Sequence, residues 1–269
     1  MADVAEKRAG FRRLHDEGCF VLPNPWDAGG AQVLQHLGFA AIASTSAGYA
    51  WSWGRADNRV ELDDLLAHLA ELSAAVDIPL NADFENGFAR EPEAVAANVR
   101  RAAQAGVSGL SVEDLTSEAA PALYEPALAT ARIRAARDAL AAENVILVAR
   151  TEGLLHGLLD LNQAIDRAVM FAEAGADCIY VPGVRTREEI STLVRAVAPK
   201  PVNVLMAWPG MSVAELADLG VRRVSTGGAL ARRAWAAFVE AAEEIKGQGT
   251  FGAFGLPGPS ISLNKLFAG

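Results

Sequence analysis

The chain has 269 residues, of which 51% are hydrophobic and 21% are charged, so it can bury a sizeable core in one domain or two, and its composition excludes a disordered protein. Its formal net charge is −9, and no block of like charge stands out, which argues against nucleic acid and anionic membranes as partners. The only cysteines, Cys19 and Cys178, fit neither a disulfide framework nor a zinc cluster and imply a reducing compartment.

The first eighteen residues are charged and helical in character, without the apolar stretch or the small-residue cleavage site of an export signal. Nowhere do eighteen uncharged apolar residues run together, as a membrane-spanning helix requires. We therefore expect a cytoplasmic protein that does not span a membrane.

Short apolar, β-branched runs alternate with longer Ala-rich amphipathic segments, a pattern typical of parallel βα units. Most of the runs are nearly continuous, as expected for strands covered on both faces. The predicted strands are Cys19–Asn24, Ala40–Ser46, Pro79–Phe84, Gly109–Asp114, Val145–Thr151, Cys178–Gly183, Pro201–Met206 and Val221–Gly227. The predicted helices are Ala28–Leu37, Leu62–Ala75, Pro92–Ala105, Ala131–Ala142, Leu161–Ala174, Arg187–Val197, Ser212–Leu219 and Leu230–Lys246.

Four predicted helices are followed at once by glycine, which accepts the left-handed conformation of a helix C-cap. These glycines are Gly38, Gly106, Gly175 and Gly220. Eight such units predict a closed (β/α)8 barrel of the TIM type, as a single domain over residues 1–269. An open doubly wound sheet is the alternative, but no Gly-x-Gly-x-x-Gly follows the first strand to support a dinucleotide site.

Three regions depart from this repeat. Tyr49–Val60 is predicted as a polar-aromatic loop after the second strand, and Thr116–Thr130 as another loop after the fourth. Gly247–Gly269 is a Gly- and Pro-rich tail that keeps seven large apolar residues. Those residues predict that the tail docks on its own barrel or on a neighbour.

Polar residues gather where the predicted strands end, which is where such barrels carry their chemistry. Asp83 and Glu85 can point to the same side of one strand end, and Glu113 comes from the next strand. Three converging carboxylates repel one another unless they are protonated or hold a cation. Oxygen ligands without His or Cys favour Mg2+, with Mn2+ possible. The seventh strand contributes Asn203, which is a candidate substrate ligand.

Each of these assignments has a structural alternative. Asp27, Asp114 and Glu152 could equally cap helices or pair with arginine. Arg150 would emerge inside the ring of acids, where it could hold a substrate carboxylate or form a salt bridge with Glu113 or Glu152.

The histidines and cysteines offer little catalytic chemistry. His15, His36 and His68 fall on predicted helices and are interpreted as packing or surface residues. His156 follows the fifth strand closely enough to approach the cleft. Cys19 and Cys178 begin strands at the bottom of the barrel, away from the chemistry.

Five segments together resemble the isocitrate lyase/phosphoenolpyruvate mutase superfamily over almost the whole chain. They are Pro-Asn-Pro-Trp-Asp-Ala (23–28), Ser-Thr-Ser-Ala-Gly (44–48), Asp-Phe-Glu-Asn-Gly-Phe (83–88), Val-Glu-Asp (112–114) and Val-Ala-Arg-Thr-Glu (148–152). The resemblance implies a phosphoenolpyruvate/pyruvate-like barrel that self-associates, as a dimer or tetramer, by exchanging its last helix between subunits.

The same resemblance implies roles for individual residues. Asp83, Glu85 and Glu113 match the acids of the metal site, and Asp57 matches an acid of the metal's water shell. The segment Ser46, Ala47 and Gly48 matches the one that holds the 2-oxo carboxylate, and Arg150 matches the arginine that meets the substrate.

One loop departs from the family pattern. Family lyases that cleave isocitrate or 2-methylisocitrate carry Lys-Lys-Cys-Gly-His or Lys-Arg-Cys-Gly-His after the fourth strand, with the cysteine as an acid. Here residues 115–126 contain no Lys, Cys or His, and the Lys and Asn of phosphonopyruvate-handling members are missing too. Members similar to oxaloacetate decarboxylase resemble the chain best in lacking that cysteine.

The leading hypothesis is a Mg2+-dependent carbon–carbon lyase that acts on a small 2-oxo or 2-hydroxy acid, or a dicarboxylic acid, through a metal-stabilised enolate. Oxaloacetate decarboxylation is favoured over isocitrate cleavage, because it needs no proton donor during bond cleavage. The alternatives are an enzyme of the phosphonopyruvate hydrolase or mutase type and a non-catalytic 2-oxo acid binder.

Overall fold

The computed structural model describes residues 2–116 and 120–268, in which eight parallel strands alternate with helices around a nearly closed barrel. The strands are β1 (Phe20–Leu22), β2 (Ile42–Ala43), β3 (Leu80–Asp83), β4 (Gly109–Glu113), β5 (Ile146–Arg150), β6 (Cys178–Tyr180), β7 (Val202–Leu205) and β8 (Arg223–Ser225). The helices are α1 (Val4–Asp16), α2 (Ala28–His36), α3 (Ser46–Ser52), α4 (Leu62–Ala75), α5 (Pro92–Gln104), α6 (Pro126–Ala139), α7 (Leu161–Glu173), α8 (Arg187–Val197), α9 (Val213–Asp218), α10 (Ala229–Gln248) and α11 (Leu263–Leu266).

Neighbouring strands pair in the order β1-β8-β7-β6-β5-β4-β3-β2. The remaining seam, between β1 and β2, is joined by the Ala43 amide, which donates to the Pro23 carbonyl over 3.0 Å. The Asn24 side chain also donates to the Ser44 carbonyl over 2.7 Å and accepts from the Thr226 and Gly227 amides after β8. The predicted (β/α)8 barrel is confirmed, and the open sheet is excluded.

Strand residues alternate between the two sides of the barrel wall. On β4, Leu110 and Val112 belong to the core shared with the helices, whereas Glu113 faces inward to Arg150. The same alternation on β5 sends Leu147 outward and Arg150 inward. Outward-facing strand residues therefore pack against the helices, while the inward-facing residues at the C-terminal ends of these two strands are charged.

Helix α1 closes the N-terminal end of the barrel. Phe11 is fully buried against Val148 of the inner core, and its ring lies 4.7 Å from that of His15 and 6.1 Å from that of Phe20. Arg8 donates to the backbone carbonyls of Ala103, Val107 and Glu143. The predicted glycine C-caps are also present, since Gly38, Gly106, Gly175 and Gly220 have φ of 86°, 91°, 100° and 86°.

Two predicted loops are partly helical, and those predictions are wrong at their boundaries. Residues 46–52 form α3, because the Thr45 side chain caps it by accepting from the Gly48 amide; the loop after β2 therefore starts only at Trp53. Helix α6 begins at Pro126 rather than at Ala131, with proline in the first turn where its missing N–H costs nothing. Residues 117–119 of the other predicted loop lie outside the described part of the chain.

The C-terminal helix α10 is almost entirely exposed. Ala231 is its only buried residue, while Trp235, Phe238 and Val239 are 41%, 65% and 45% exposed. The described tail returns far enough for the Phe267 ring to lie beside Gly29 of α2. Within residues 2–116 and 120–268, no helix combines the length and apolar character needed to cross a membrane.

Candidate active site

A cavity of about 290 Å3 opens at the C-terminal ends of the strands, where barrels of this class carry their chemistry. It is lined on one side by Ser46, Ala47, Asp57 and Asp83, with Arg150 rising from β5. Five predicted site residues are thus brought to a single cavity wall.

Ser46 links two of the carboxylates. Its amide and its hydroxyl each lie 3.0 Å from Asp83 Oδ2, and the hydroxyl also lies 3.2 Å from Asp57 Oδ1. One hydroxyl proton can be donated to only one acceptor at a time. Burial raises the pKa of Asp57, and the Asp83 carboxylate raises it further. Two acids so close therefore favour a shared proton or a cation between them.

Arg150 brings a guanidinium among these acids. Its Nη1 lies 3.4 Å from Asp83 Oδ1 and its Nε 3.4 Å from Glu113 Oε2, and Nε also pairs with Glu152. Its Cζ lies 5.0 Å from the centre of the Tyr180 ring. Arg150 therefore forms the salt bridges with Glu113 and Glu152 that one interpretation expected. It also lines the cavity, and its contact with a substrate carboxylate, the other interpretation, stays a prediction.

Glu85 and Glu113 are buried beside this cluster. Burial raises the pKa of Glu85 to about 8, with further contributions from the Asp83 and Asp57 carboxylates, while Arg150 opposes the rise. Burial also raises the pKa of Glu113 well above its ordinary value. Glu85 Oε1 has no hydrogen-bond partner among the described residues. A buried oxygen without a partner is costly unless a proton or a cation meets it.

The donor set fits a hard divalent cation, since five carboxylates surround a single arginine and every candidate ligand is oxygen. The five acids are Asp57, Asp83, Glu85, Glu113 and Glu152. Among the described residues, however, no three His, Cys, Asp or Glu side chains are placed to hold one ion directly. The assignment of Asp83, Glu85 and Glu113 as metal ligands therefore stays a prediction.

Other strand-end acids support the structure. Asp27 caps α2 by accepting from the Gly30 amide. Asp114 accepts from Thr151 Oγ1 over 2.7 Å and from Arg167 over 3.1 Å. Both residues thus have the structural role that was the alternative to a catalytic one: Asp27 caps a helix, and Asp114 pairs with an arginine. Glu152 bridges Arg150 to His156, which donates from Nε2 over 3.3 Å.

Two predicted substrate ligands lie behind the cavity surface. Gly48 is packed so tightly that a Cβ there would come within 2.7 Å of Thr45 and 3.1 Å of Ala231. Asn203 is fully buried, with its amide group donating to Ser225 and accepting from Arg223. The structure gives both residues packing roles, and their contact with substrate remains untested.

Several residues of the cavity were missed by sequence reasoning. Tyr180 lines it from β6, Leu205 and Trp208 line it from β7 and the turn beyond, and Arg232 reaches it from α10. Alternation in register with Cys178 could have placed Tyr180 inside the barrel. No comparable signal marks Arg232, which is far along the chain on a surface helix.

The loop between β4 and α6 is joined to the acid site at its described ends. The Tyr124 amide donates to the Asp114 carbonyl, and the Arg132 guanidinium stacks 4.0 Å from the Tyr124 ring centre. Arg132 also donates to backbone carbonyls of Asn86, Ala89 and Glu113. It therefore fixes the backbone that carries Glu85 and Glu113.

Comparison with known proteins identifies the family. The family model for phosphoenolpyruvate phosphomutase matches residues 11–246. The uncharacterized protein MT2054 of Mycobacterium tuberculosis is 37% identical over 219 residues, or 81% of each chain. An oxaloacetate decarboxylase of Rhodopseudomonas palustris is 28% identical over 174 residues, which cover 61% of this chain and 57% of that protein.

Two solved structures share the architecture. A candidate lyase/mutase from Burkholderia cenocepacia J2315 has a TM-score of 0.94 at 46% identity, over 99% of this chain and 98% of that one. A phosphonopyruvate hydrolase in complex with oxalate and Mg2+ has a TM-score of 0.83 at 26% identity, over 96% and 92%.

Fold and cavity thus define a (β/α)8-barrel protein with an acid-rich site at its strand ends. The chain belongs to the phosphoenolpyruvate mutase family, within the phosphoenolpyruvate mutase/isocitrate lyase superfamily. Lyases and mutases are members of this superfamily, so the comparisons support an enzyme.

Without metal, the stability of the protein should fall as pH rises from about 5 to 8. The unfolded chain ionises Glu85 near its ordinary pKa of 4.5, whereas the folded chain keeps it protonated up to about 8, so the unfolded state binds fewer protons in this window. Glu85→Gln should flatten the slope, and the exposed Glu93→Gln should not. Urea unfolding in EDTA at several pH values between about 5 and 8 measures the free energy of unfolding. An equal slope of that free energy against pH in the wild-type protein and both variants would contradict the raised pKa of Glu85.

Proposed function

We propose that this protein is a carbon–carbon lyase that acts on a small 2-oxo or 2-hydroxy carboxylic acid through an enolate. The observation that carries the proposal is the cavity wall in which Ser46 and Arg150 meet a surplus of buried carboxylates. Such a wall can hold a carboxylate and a cation together, and developing negative charge is stabilised best where charged groups are already fixed.

We propose Mg2+, or Mn2+ in its place, as the cofactor, with Asp83, Glu85 and Glu113 as the residues that would hold it. Since no three of these are placed to ligate one ion directly, part of the contact would pass through water. The unpartnered Glu85 Oε1 supports the assignment. When bound, the ion would supply positive charge to the substrate's carboxylate and its C2 oxygen. The phosphonopyruvate hydrolase with Mg2+ and oxalate supports a divalent ion in this superfamily.

The protein's own residues then have distinct tasks. Ser46 and Ala47 line the part of the cavity that would take the substrate's 2-oxo carboxylate. Arg150 stabilises the negative charge that develops when the substrate's C3–C4 bond breaks and the electron pair of that bond moves toward C2. Asp57, with its raised pKa, can hold a proton on a carboxyl oxygen that faces the cavity. Glu113 and Glu152 orient the Arg150 guanidinium.

Decarboxylation of a 3-carboxy-2-oxo acid fits this set of residues best. The bond electrons enter the enolate and CO2 leaves, so no acid is needed until C3 is protonated afterwards. The R. palustris oxaloacetate decarboxylase is a relative, although the chain spans only 57% of its length. A phosphonopyruvate hydrolase or mutase activity is the second candidate, supported by structural neighbours with those activities in their names. A non-catalytic 2-oxo acid binder is the third.

Loss of the central carboxylates should weaken metal binding. Asp83→Asn removes a negative charge beside the proposed ion, and Glu85→Gln removes a carboxyl group that would ionise when the ion binds, so Mg2+ affinity should fall roughly tenfold or more in each variant. Calorimetric titration with Mg2+ measures it. Asp27→Asn is the matched control, because this exposed strand-end acid caps a helix and asparagine caps equally well. Wild-type affinity in both central variants would refute the metal assignment.

Oxaloacetate should be turned over faster than isocitrate or 2-methylisocitrate. Cleavage of the latter leaves a carbanion that needs a proton donor, and no cysteine is present in residues 115–126 to supply it. General-acid help is typically worth on the order of a hundredfold. Coupled assays of pyruvate and glyoxylate release with Mg2+ compare the rates. An isocitrate rate equal to or above the oxaloacetate rate would reverse the order.

We also propose self-association through α10. The exposed Trp235, Phe238 and Val239 form an apolar strip that a partner subunit would cover, most simply by helix exchange. Light scattering at micromolar concentration should give a dimer or tetramer. Phe238→Glu should lower the measured mass toward that of a monomer, whereas Glu240→Gln, on the same helix, should leave the mass unchanged. A monomeric wild-type protein would contradict the proposal.

A further inference from the structure

Tyr180 brings a neutral hydroxyl group to the cavity, across from Ser46. In an eight-stranded barrel β6 lies opposite β2, so Tyr180 on β6 faces the β2 end, where Ser46 and Ala47 line the cavity. Its ring packs in the inner core, and its register partner Arg150 on β5 lies with Cζ 5.0 Å from the ring centre. A ligand held at Ser46 would therefore extend toward a phenol.

A chain of hydrogen bonds leads from the barrel interior to this phenol. Arg223 Nε donates to Asn203 Oδ1 over 2.9 Å, and a guanidinium can only donate. The amide orientation that this fixes leaves Asn203 Nδ2 to donate to Ser225 Oγ over 3.0 Å. Ser225 is in turn the hydrogen-bonding partner that lowers the pKa of Tyr180, as a donor to the phenol oxygen does. The proton of the Tyr180 hydroxyl is thus left for an acceptor in the cavity.

The chain begins at a buried cation whose partners are neutral. Besides Asn203, Arg223 donates to Asn81 Oδ1 over 3.3 Å and to His15 Nε2 over 3.4 Å. His15 stays neutral, because burial and the charge of Arg223 lower its pKa to about 3. In the described part of the chain, the groups that act on the pKa of Arg223 include Tyr180 but no carboxylate. The positive charge therefore polarises the chain that ends at Tyr180.

Tyr180 is better placed to donate a proton than the other groups of the cavity. The Ser46 hydroxyl is held by Asp83 and Asp57, and a guanidinium keeps its proton. Asp57 lies beside Ser46, on the side that would take the substrate's 2-oxo carboxylate. Burial raises the pKa of Tyr180 to about 12, while Arg150 opposes the rise. The phenol therefore keeps its proton until a strongly basic carbon takes it.

We propose that Tyr180 is the acid that protonates C3 of the substrate after the C3–C4 bond has broken, and that Ser225 and Asn203 position its hydroxyl group. The inference rests on the proposed function and assigns the proton donor that decarboxylation requires in its second step. The O–H bond of Tyr180 breaks, and the electron pair of the enolate forms the new C3–H bond. The phenolate that remains lies beside Arg150 and recovers its proton from solvent water when the product leaves.

Exchange of the methyl protons of pyruvate with heavy water isolates this step, because it reverses the protonation and breaks no carbon–carbon bond. Proton NMR with Mg2+ should show exchange catalysed by the wild-type protein, and Tyr180→Phe should slow it on the order of a hundredfold. Calorimetric binding of pyruvate should stay within about twofold, and CO2 release from oxaloacetate should fall by less than about threefold, because cleavage itself needs no acid.

Ser225→Ala tests the positioning chain, with Ser111→Ala as the matched control. Ser111 is a buried serine of β4 whose hydroxyl donates to the Ala82 carbonyl over 3.3 Å, outside the chain. Loss of the Ser225 hydroxyl should slow exchange by roughly tenfold and leave pyruvate affinity unchanged. Ser111→Ala should leave both unchanged. An equal loss of exchange in the two variants would overturn the role of the chain.

Pyruvate binding separates this inference from the proposed function. If pyruvate fails to bind with Mg2+, the proposed function and the inference both fail. If pyruvate binds but Tyr180→Phe exchanges protons at the wild-type rate, or the wild-type protein catalyses no exchange, the inference alone is overturned. It is also overturned if Tyr180→Phe weakens pyruvate binding as much as it slows exchange, because the hydroxyl would then be a binding group. Exchange that depends on Tyr180 without CO2 release would support the inference and move the proposed function to another 2-oxo acid.

Discussion

The charge balance around Arg150 is the constraint on which the rest of the site depends. One buried guanidinium lies within 3.4 Å of Asp83 and Glu113 and pairs with Glu152 as well. Burying so many ionisable groups is tolerable only when their charges are matched or their protons retained. Burial, with the neighbouring carboxylates, raises the pKa of Asp57, Glu85 and Glu113 even though Arg150 lowers each of them. The site is therefore poised to accept additional positive charge.

The surrounding barrel keeps these groups in place. Asn24 joins the strand ends on both sides of the seam, and the Ser44 hydroxyl accepts from the Asp83 amide. Arg132 fixes the carbonyls next to Glu85 and Glu113. Asn24 and Ser44, which belong to the motif segments, thus hold backbone groups in place beside the acids.

The fold could be predicted from the sequence because the apolar runs repeat eight times and four of the helices end at a glycine C-cap, and each of these is a local signal. Arg150 and Asp83 could be placed because each lies at the C-terminal end of a buried strand. Asp57 was assigned through family resemblance alone, since its loop has no regular pattern. Strand alternation could have placed Tyr180 inside the barrel. Leu205 and Trp208 could not be distinguished from ordinary core residues, because only barrel closure shows which strands face each other. Helix α3 was missed because glycine and serine obscure its short amphipathic pattern.

Helix α1, which closes the N-terminal end of the barrel, restricts the side from which ligands reach the cavity. Phe11 is fully buried in the inner core beneath the strands, so a ligand reaches the cavity from the C-terminal ends of the strands. Substrate and product therefore use the same side of the barrel. A cover over the C-terminal ends of the strands would therefore control both the binding of substrate and the release of product.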